Sequence, residues 1–362
     1  MKKYRRFCQI VLMVVLSIVL FNGIVWNLFT RPLLTRHEGW YTGDLARMGY
    51  LSGYTQPRQN TNDLPRRHIE MAGLQGDNVD LVTIGDSFSQ GGASGHNRYY
   101  QDYLASIHEM DVLNIPRYPG AANLVEQIAI LLNSGFFDRI RPRYLVLQIA
   151  ERNAYKLGGK IDFGRSEPLE EMLAYYQKGK AGQHEAEEDG PAALPQVGFL
   201  NSGNLKWLFY NVLYPFEANA FVSDVYKVPL SASLFSGPRG DTLLYLDKDV
   251  RNLKRYDADS LARVNDNLNH LAVLLRQRGI EFYFMPAVDK SNLYRPYVLD
   301  DHYPESRFFE HFRGFVKDYR FIDTKAILQS ELEKGELDIF YLDDTHWSWR
   351  ASLAISQAIR FH

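Results

Sequence analysis

The sequence predicts an α/β domain in which helices cover both faces of a parallel sheet, preceded by one apolar N-terminal helix. Three patterns predict it. Short apolar runs alternate with segments of helical periodicity, the signature of strand–helix–strand units. The runs are continuously apolar rather than alternating, as strands buried on both faces must be. A charge-free stretch of spanning length follows a basic N-terminus.

The basic flank is MKKYRRF, and residues 8–29, CQIVLMVVLSIVLFNGIVWNLF, carry no charge. The flank predicts a cytoplasmic N-terminus and an external chain from residue 31 onward, with Trp26 as an interfacial anchor. A cleaved signal peptide is the alternative, but its apolar core would be shorter and end in small residues, whereas this run ends NLFTRPLL. The reading is an uncleaved anchor over residues 1–30. Residues 31–76, rich in Arg, Gly, Asn and Pro, are expected to be an irregular extracytoplasmic linker.

From residue 77 the alternation begins. Residues 79–84 (VDLVTI) predict a strand and 98–110 a helix; 111–115 (DVLNI) predict a second strand and 121–135 a helix. In that helix Leu124, Ile128 and Leu131 fall at helical spacing. Residues 143–150 (RYLVLQIA) predict a third strand. The pattern pauses over about 155–255, expected to be an insertion, and resumes with an amphipathic helix that opens near Asp257 or Asp259 and ends at Gly279. A fourth strand (280–287), a helix (304–319), a fifth strand (320–324) and a closing helix (346–359) complete the domain. Within the insertion, residues 175–196 are charged and aperiodic and predict a mobile loop. Residues 204–221 (NLKWLFYNVLYPFEANAF) are dense in aromatics, read as a satellite core or, alternatively, as a sugar-facing or partner-facing apolar surface.

Composition excludes several functions. A net charge of −2 over 362 residues gives no global basis for binding nucleic acid. The single cysteine, Cys8, forbids an intramolecular disulfide and sits too near the N-terminus for a convincing lipidation site. There is no CxxC, no histidine pair at ligand spacing and no phosphate-cradling glycine motif, so no metal or cofactor is expected. With 46% hydrophobic residues, the chain can fill one large core with insertions, or two smaller ones.

Two stretches carry chemistry. LVTIGDSFSQGG, residues 81–92, ends a predicted strand on Gly85 and then presents Asp86 and Ser87. Functional residues of parallel sheets collect at such ends. Gly-Asp-Ser alone is also ordinary turn chemistry. YLDDTHWSWRA, residues 341–351, places Asp343 and Asp344 just before His346 and Trp347. A serine hydroxyl is a weak nucleophile that needs a base, and histidine serves when a carboxylate fixes its tautomer. The bland alternative is an aspartate capping the last helix beside a solvent-facing histidine. The joint occurrence favours catalysis, with Ser87 as nucleophile.

IGDSFS (84–89) and DDTHWS (343–348) together resemble the serine and acid–base blocks of the SGNH (GDSL) hydrolase superfamily. Within it the chain is most similar to the periplasmic alginate-type polysaccharide O-acetyltransferases. FMPAVDKSNLYRPYV (284–298) resembles the segment those enzymes carry after a central strand. The resemblance covers roughly residues 79–150 and 258–360 and implies a flavodoxin-like, three-layer α/β/α sandwich. It implies Ser87 as nucleophile and His346 as base. The superfamily's Asp-x-x-His spacing selects Asp343 as acid; the alginate-type Asp-x-His spacing, with the Thr-His-Trp context, favours Asp344. Serine first and histidine last is the ordinary superfamily order, whereas alginate-type enzymes are circularly permuted. The implied oxyanion donors are the Ser87 N–H and, from PGAAN (119–123), the Gly120 N–H. The third, usually an asparagine in a Gly-x-Asn-Asp block, falls in QIAERNAY (148–155), which lacks the glycine; Asn153 or Arg152 substitutes, or both are structural. Lys290 is expected to position an acceptor or to be a surface lysine, and Trp347 and Arg152 to contact substrate.

The expected function is a membrane-anchored O-acetyltransferase acting on an extracytoplasmic polysaccharide from the outer face of the cytoplasmic membrane. Acetyl-CoA is cytoplasmic, so the resemblance implies a multispanning membrane acyltransferase as donor partner. The alternatives are a carbohydrate acetyl esterase with the same site and a non-catalytic polysaccharide-binding or scaffold subunit.

Overall fold

Eight strands organise the chain in the computed structural model, which describes residues 2–34, 42–58, 63–74, 78–178, 198–299 and 304–362. They are β1 (Ile69–Glu70), β2 (Leu81–Ile84), β3 (Val112–Ile115), β4 (Tyr144–Ala150), β5 (Val225–Pro229), β6 (Thr242–Leu246), β7 (Glu281–Ala287) and β8 (Arg320–Phe321). Six form one parallel sheet in the order β1-β3-β2-β4-β7-β8, while β5 and β6 pair as an antiparallel ribbon. Register runs from Leu81 opposite both Val112 and Tyr144 to Tyr144 opposite Glu281. Every residue of β2, β3 and β4 is buried, so both faces of the central sheet are covered, as their continuous apolar runs require.

The direction of travel across the sheet reverses between β3 and β4. The first of these lies on one side of β2 and the second on the other. Such a reversal opens a crevice at the carboxyl ends of the flanking strands. The loop after β2 carries Ser87 into that crevice.

Seven helices matter to the argument: α1 (Lys2–Val25), α2 (Tyr100–His108), α3 (Leu124–Asn133), α4 (Ser202–Leu213), α5 (Ala258–Arg276), α6 (Thr324–Glu333) and α7 (Trp349–Ala358). The starts of α3, α5 and α6 follow capping chemistry. Asn123 accepts from the N–H groups of Val125 and Glu126, Asp257 from Ser260, and Asp323 from Ala326. Gly279, with φ +75°, stands just past the end of α5. All five sheet strands expected from 79–324 are present. Helix α1 continues through a π turn, Trp26–Thr30, to Leu34. The helical stretch Lys2–Leu34 is long and apolar enough to cross a membrane.

Two expectations change. The stretch read as linker contributes to the domain itself: Leu45, Leu51 and Tyr54 are buried in the core, and β1 pairs with the edge of β3. It carries no periodicity because backbone bonds hold it, such as Ala46 N–H to the Asp343 carbonyl at 3.1 Å. The insertion contains α4 and the β5–β6 ribbon; of the aromatic stretch 204–221, Tyr214 and Ala220 join the main core while Leu205, Leu208, Phe209, Val212, Phe216 and Phe221 are exposed. The predicted mobile loop at 175–196 falls largely outside the described residues.

Candidate active site

The loop after β2 is braced on its buried side and open on the other. Asp86 accepts from the N–H of Phe88 at 3.2 Å and from Ala150 N–H, at the end of β4, at 2.7 Å. Ser89 Oγ lies 2.9 Å from Gln148 Oε1 and 3.0 Å from the Tyr100 hydroxyl. Its carbonyl accepts from Gln101 and Asn114. Gly85 leaves no room for a side chain against Ser89 and Gln148. These ties hold an exposed Ser87 between two buried neighbours, Gly85 and Phe88.

The loop before α7 brings the partners. His346 Nε2 is 2.8 Å from Ser87 Oγ, and His346 Nδ1 is 2.7 Å from Asp344 Oδ1. The same Asp344 oxygen accepts the His346 backbone N–H at 2.9 Å. Of the two candidate acids, only Asp344 reaches the imidazole. Asp343 accepts instead from Gly43 N–H at 2.9 Å and Gln56 N–H at 3.2 Å. Arg58 bridges both carboxylates, 2.6 Å from Asp343 and 3.0 Å from Asp344. The last helix is capped by Ser348, not by either aspartate.

Electrostatics suit a base. Burial disfavours the His346 cation, but the hydrogen bond and charge of Asp344, with Asp44 beyond, outweigh it and lift the pKa above 6.5. Burial alone would raise Asp344; its bond to His346 and the Arg58 guanidinium instead hold it well below the carboxylate range. Asp44, raised by burial and by Asp344, accepts from Thr345 N–H at 2.8 Å and Thr345 Oγ1 at 2.5 Å. Asp44, Asp344 and His346 bring ligand atoms within 4.8 Å of one another. Thr345 and Arg58 already engage these carboxylates, so the group is a hydrogen-bond network rather than an open set of metal ligands.

The remaining expected residues divide. Asn153 stays beside Ser87: both line a cavity of about 270 Å³ with Arg117, Asn123, Ile149 and Lys156. Lys156 has its pKa pushed down by partial burial and then by the charges of Arg117 and Lys248. Gly120 does not line this cavity; Ala122 and Asn123 take that wall, while the Gly120 carbonyl accepts from Arg165. Arg152 is no substrate contact. It is buried and paired with Asp289 at 2.7 Å, beneath the Phe88 ring. Trp347 is 2% exposed and packs on Phe88 at 4.8 Å, a wall behind His346.

Lys290 is not on the surface. It is 1% exposed, and its Nζ donates to the carbonyls of Tyr341 at 2.7 Å, Leu342 at 2.8 Å and Asp344 at 3.2 Å. Burial pushes its pKa down to about 7 against the carboxylates of Asp343, Asp344 and Asp44. It staples the loop that carries the acid.

Sequence reasoning missed Asp44, Arg58 and Gly92. A side chain at Gly92 would stand 2.5 Å from His346 Nε2 and 2.8 Å from the Ser87 carbonyl. The Gly91-Gly92 pair just after the serine was its only signal. Asp44 and Arg58 gave none, being some 300 residues from the loop they support. Comparison with protein-family models and with curated proteins finds no match to this chain.

Proposed function

We propose that the chain is a membrane-anchored serine O-acetyltransferase of the SGNH class, with a three-layer α/β/α domain, acting on an extracytoplasmic polysaccharide. The observation that carries this reading is the unbroken relay from Ser87 through His346 to Asp344 beside an open cavity. In the first half-reaction His346 Nε2 takes the Ser87 proton as Oγ attacks an acetyl carbonyl. The Ser87 N–H and the Asn153 amide, from residues lining the same cavity, are the assigned donors to the developing oxyanion. The leaving group departs with the proton from His346, giving acetyl-Ser87. In the second half His346 takes the proton of a sugar hydroxyl, the oxygen attacks the acyl carbon, and Ser87 leaves reprotonated. Arg117 and Lys156 give the cavity wall a cationic edge suited to a polar acceptor. An acetyl donor outside the cytoplasm must come across the membrane, for which a multispanning acyltransferase is the fitting partner.

The exposure of Ser87 to solvent favours one second reading, an esterase in which water discharges the same acetyl-serine. The test is incubation of the whole protein with an activated acetyl ester. Transfer predicts one acetyl group on the Ser87 peptide by mass spectrometry, discharged faster by oligosaccharide than by buffer. Discharge at one rate with every sugar selects the esterase, and full activity in Ser87→Ala removes both.

A further inference from the structure

Helix α4 carries an apolar stripe on its exposed side. Its exposed apolar residues are Leu205, Leu208, Phe209 and Val212, at i, i+3, i+4 and i+7, each between 37% and 55% exposed. Its inward side mixes polar and apolar groups, with Tyr210 and Leu213 packed against the core. Asn204 is fully buried, Asn211 donates to the Tyr50 carbonyl at 3.0 Å, and Tyr214, at its end, bonds Ser223 at 2.9 Å. The apolar face continues into Leu200, Phe216, Phe221 and Val222, the last 92% exposed. Phe221 and Val222 both adopt left-handed backbone, at φ 51°, unusual for bulky and β-branched residues. That turn projects two apolar side chains outward beside Phe209, whose ring stacks on Phe221 at 6.1 Å.

The placement of α4 says what covers this face. Asn204 donates to Asn22 at 2.8 Å and accepts from Thr30 at 2.6 Å, while Trp207 stacks on Phe29 at 4.1 Å. Asn22 lies seven residues before Phe29, where the charge-free run ends, or about 10 Å along the helix axis. A helix docked at Asn22 therefore sits below the end of the apolar run. Interfacial helices bury their apolar face about 5–10 Å into a bilayer, the same depth. The exposed apolar residues of α4 thus stand on a helix packed against the apolar stretch that holds the exposed Ile24 and Leu28.

We propose that α4 and the Phe216–Val222 turn lie in the lipid interface of the leaflet on the domain's side, seating the domain on the bilayer beside its anchor. This rests on α1 spanning the membrane. The test places single nitroxide labels on the full chain in a Cys8→Ser background, reconstituted in phosphatidylcholine–phosphatidylglycerol vesicles. The labelled positions are Val212→Cys, Val222→Cys, Leu16→Cys in α1 and the exposed Val316→Cys, each checked for native circular dichroism. Labels at 212 and 222 should collide with oxygen and lose collisions with a water-soluble nickel chelate, as at 16, while 316 keeps them. Nickel access at 212 and 222 with position 16 protected overturns the docking and leaves the anchor standing. Nickel access at 16 overturns the anchor itself. Protection at 212 and 222 from both reagents means that protein, a second copy of the chain, covers the face, and overturns the lipid assignment. Should Val212→Cys fail to fold, Val222→Cys on the turn decides.

Discussion

At the residue scale, Asp344 and Asp343 are adjacent in sequence and opposite in role. Asp344 fixes the imidazole and raises its pKa; Asp343 accepts two backbone N–H groups and one arm of Arg58. Only neutral His346 can accept the Ser87 proton, so kcat/KM on an acetyl ester should rise with pH through a pKa above 6.5. Asp344→Asn removes the charge that outweighs burial, so the limb should move to lower pH and kcat fall by about 10³–10⁴-fold. Asp343→Asn should leave the limb in place and lower Tm instead. A limb shifted equally by both substitutions would refute the division. Gly92 gives a second expectation. Gly92→Ala must displace His346, and a displacement near 1 Å costs on the order of 10²-fold in rate. Its kcat should fall with native circular dichroism retained.

At the element scale, the acid loop is held less by its own sequence than by what surrounds it. Lys290, one residue beyond the Asp289 that pairs with Arg152, sends three hydrogen bonds to loop carbonyls. Lys290→Met leaves three buried carbonyls without that donor, at about 1–3 kcal/mol for a buried group stripped of its partner. Thermal unfolding should show a Tm several degrees lower, and hydrogen exchange should rise over 341–346; unchanged exchange there would exclude the staple role. This also marks what the sequence could convey. Strands β2, β3, β4 and β7 were legible because burial on both faces leaves their runs mostly apolar, Thr83, Asn114 and Gln148 being buried exceptions. Ser87 was legible because it stands just past the end of such a strand, and His346 because it follows two aspartates just before the closing helix. Strands β5 and β6 were not, since their half-polar runs, VYKVP and TLLYL, lack a helix between them to complete an α/β unit. Lys290 was misread because an ammonium is ordinarily exposed, and only the folded loop shows the three carbonyls that pull it inside.

At the scale of the whole molecule, anchor and candidate catalytic loop are joined by a short path. Helix α1 continues to Leu34, and Gly43 and Asp44 already touch Asp343 and Thr345. Eight residues lie between Leu34 and Gly43, so at full extension the nine Cα steps reach only about 30 Å. With α1 spanning a membrane as proposed, Ser87 would be confined near the bilayer, within reach of the proposed membrane-embedded donor.

The same path makes the N-terminal segment part of the fold, and this gives the last expectation. Gly43, Asp44, Gln56 and Arg58 together satisfy the oxygens of Asp343 and the support of Thr345, and Arg58 is the cation between two buried carboxylates. Removing one partner of a buried ion pair costs about 3–5 kcal/mol because the remaining charge stays unpaired. A chain beginning at residue 35 should leave the membrane fraction yet keep a cooperative thermal transition and acetylate Ser87. A chain beginning at residue 59 should lose both the transition and the acetylation. Arg58→Met in the whole chain separates loss of charge from loss of segment: it should stay membrane-bound, lower Tm by several degrees and reduce acetylation. If the chain from residue 59 unfolds at the same Tm and labels at the same rate as the chain from residue 35, residues 42–58 are a tether after all, and the support assigned to Asp44 and Arg58 is wrong.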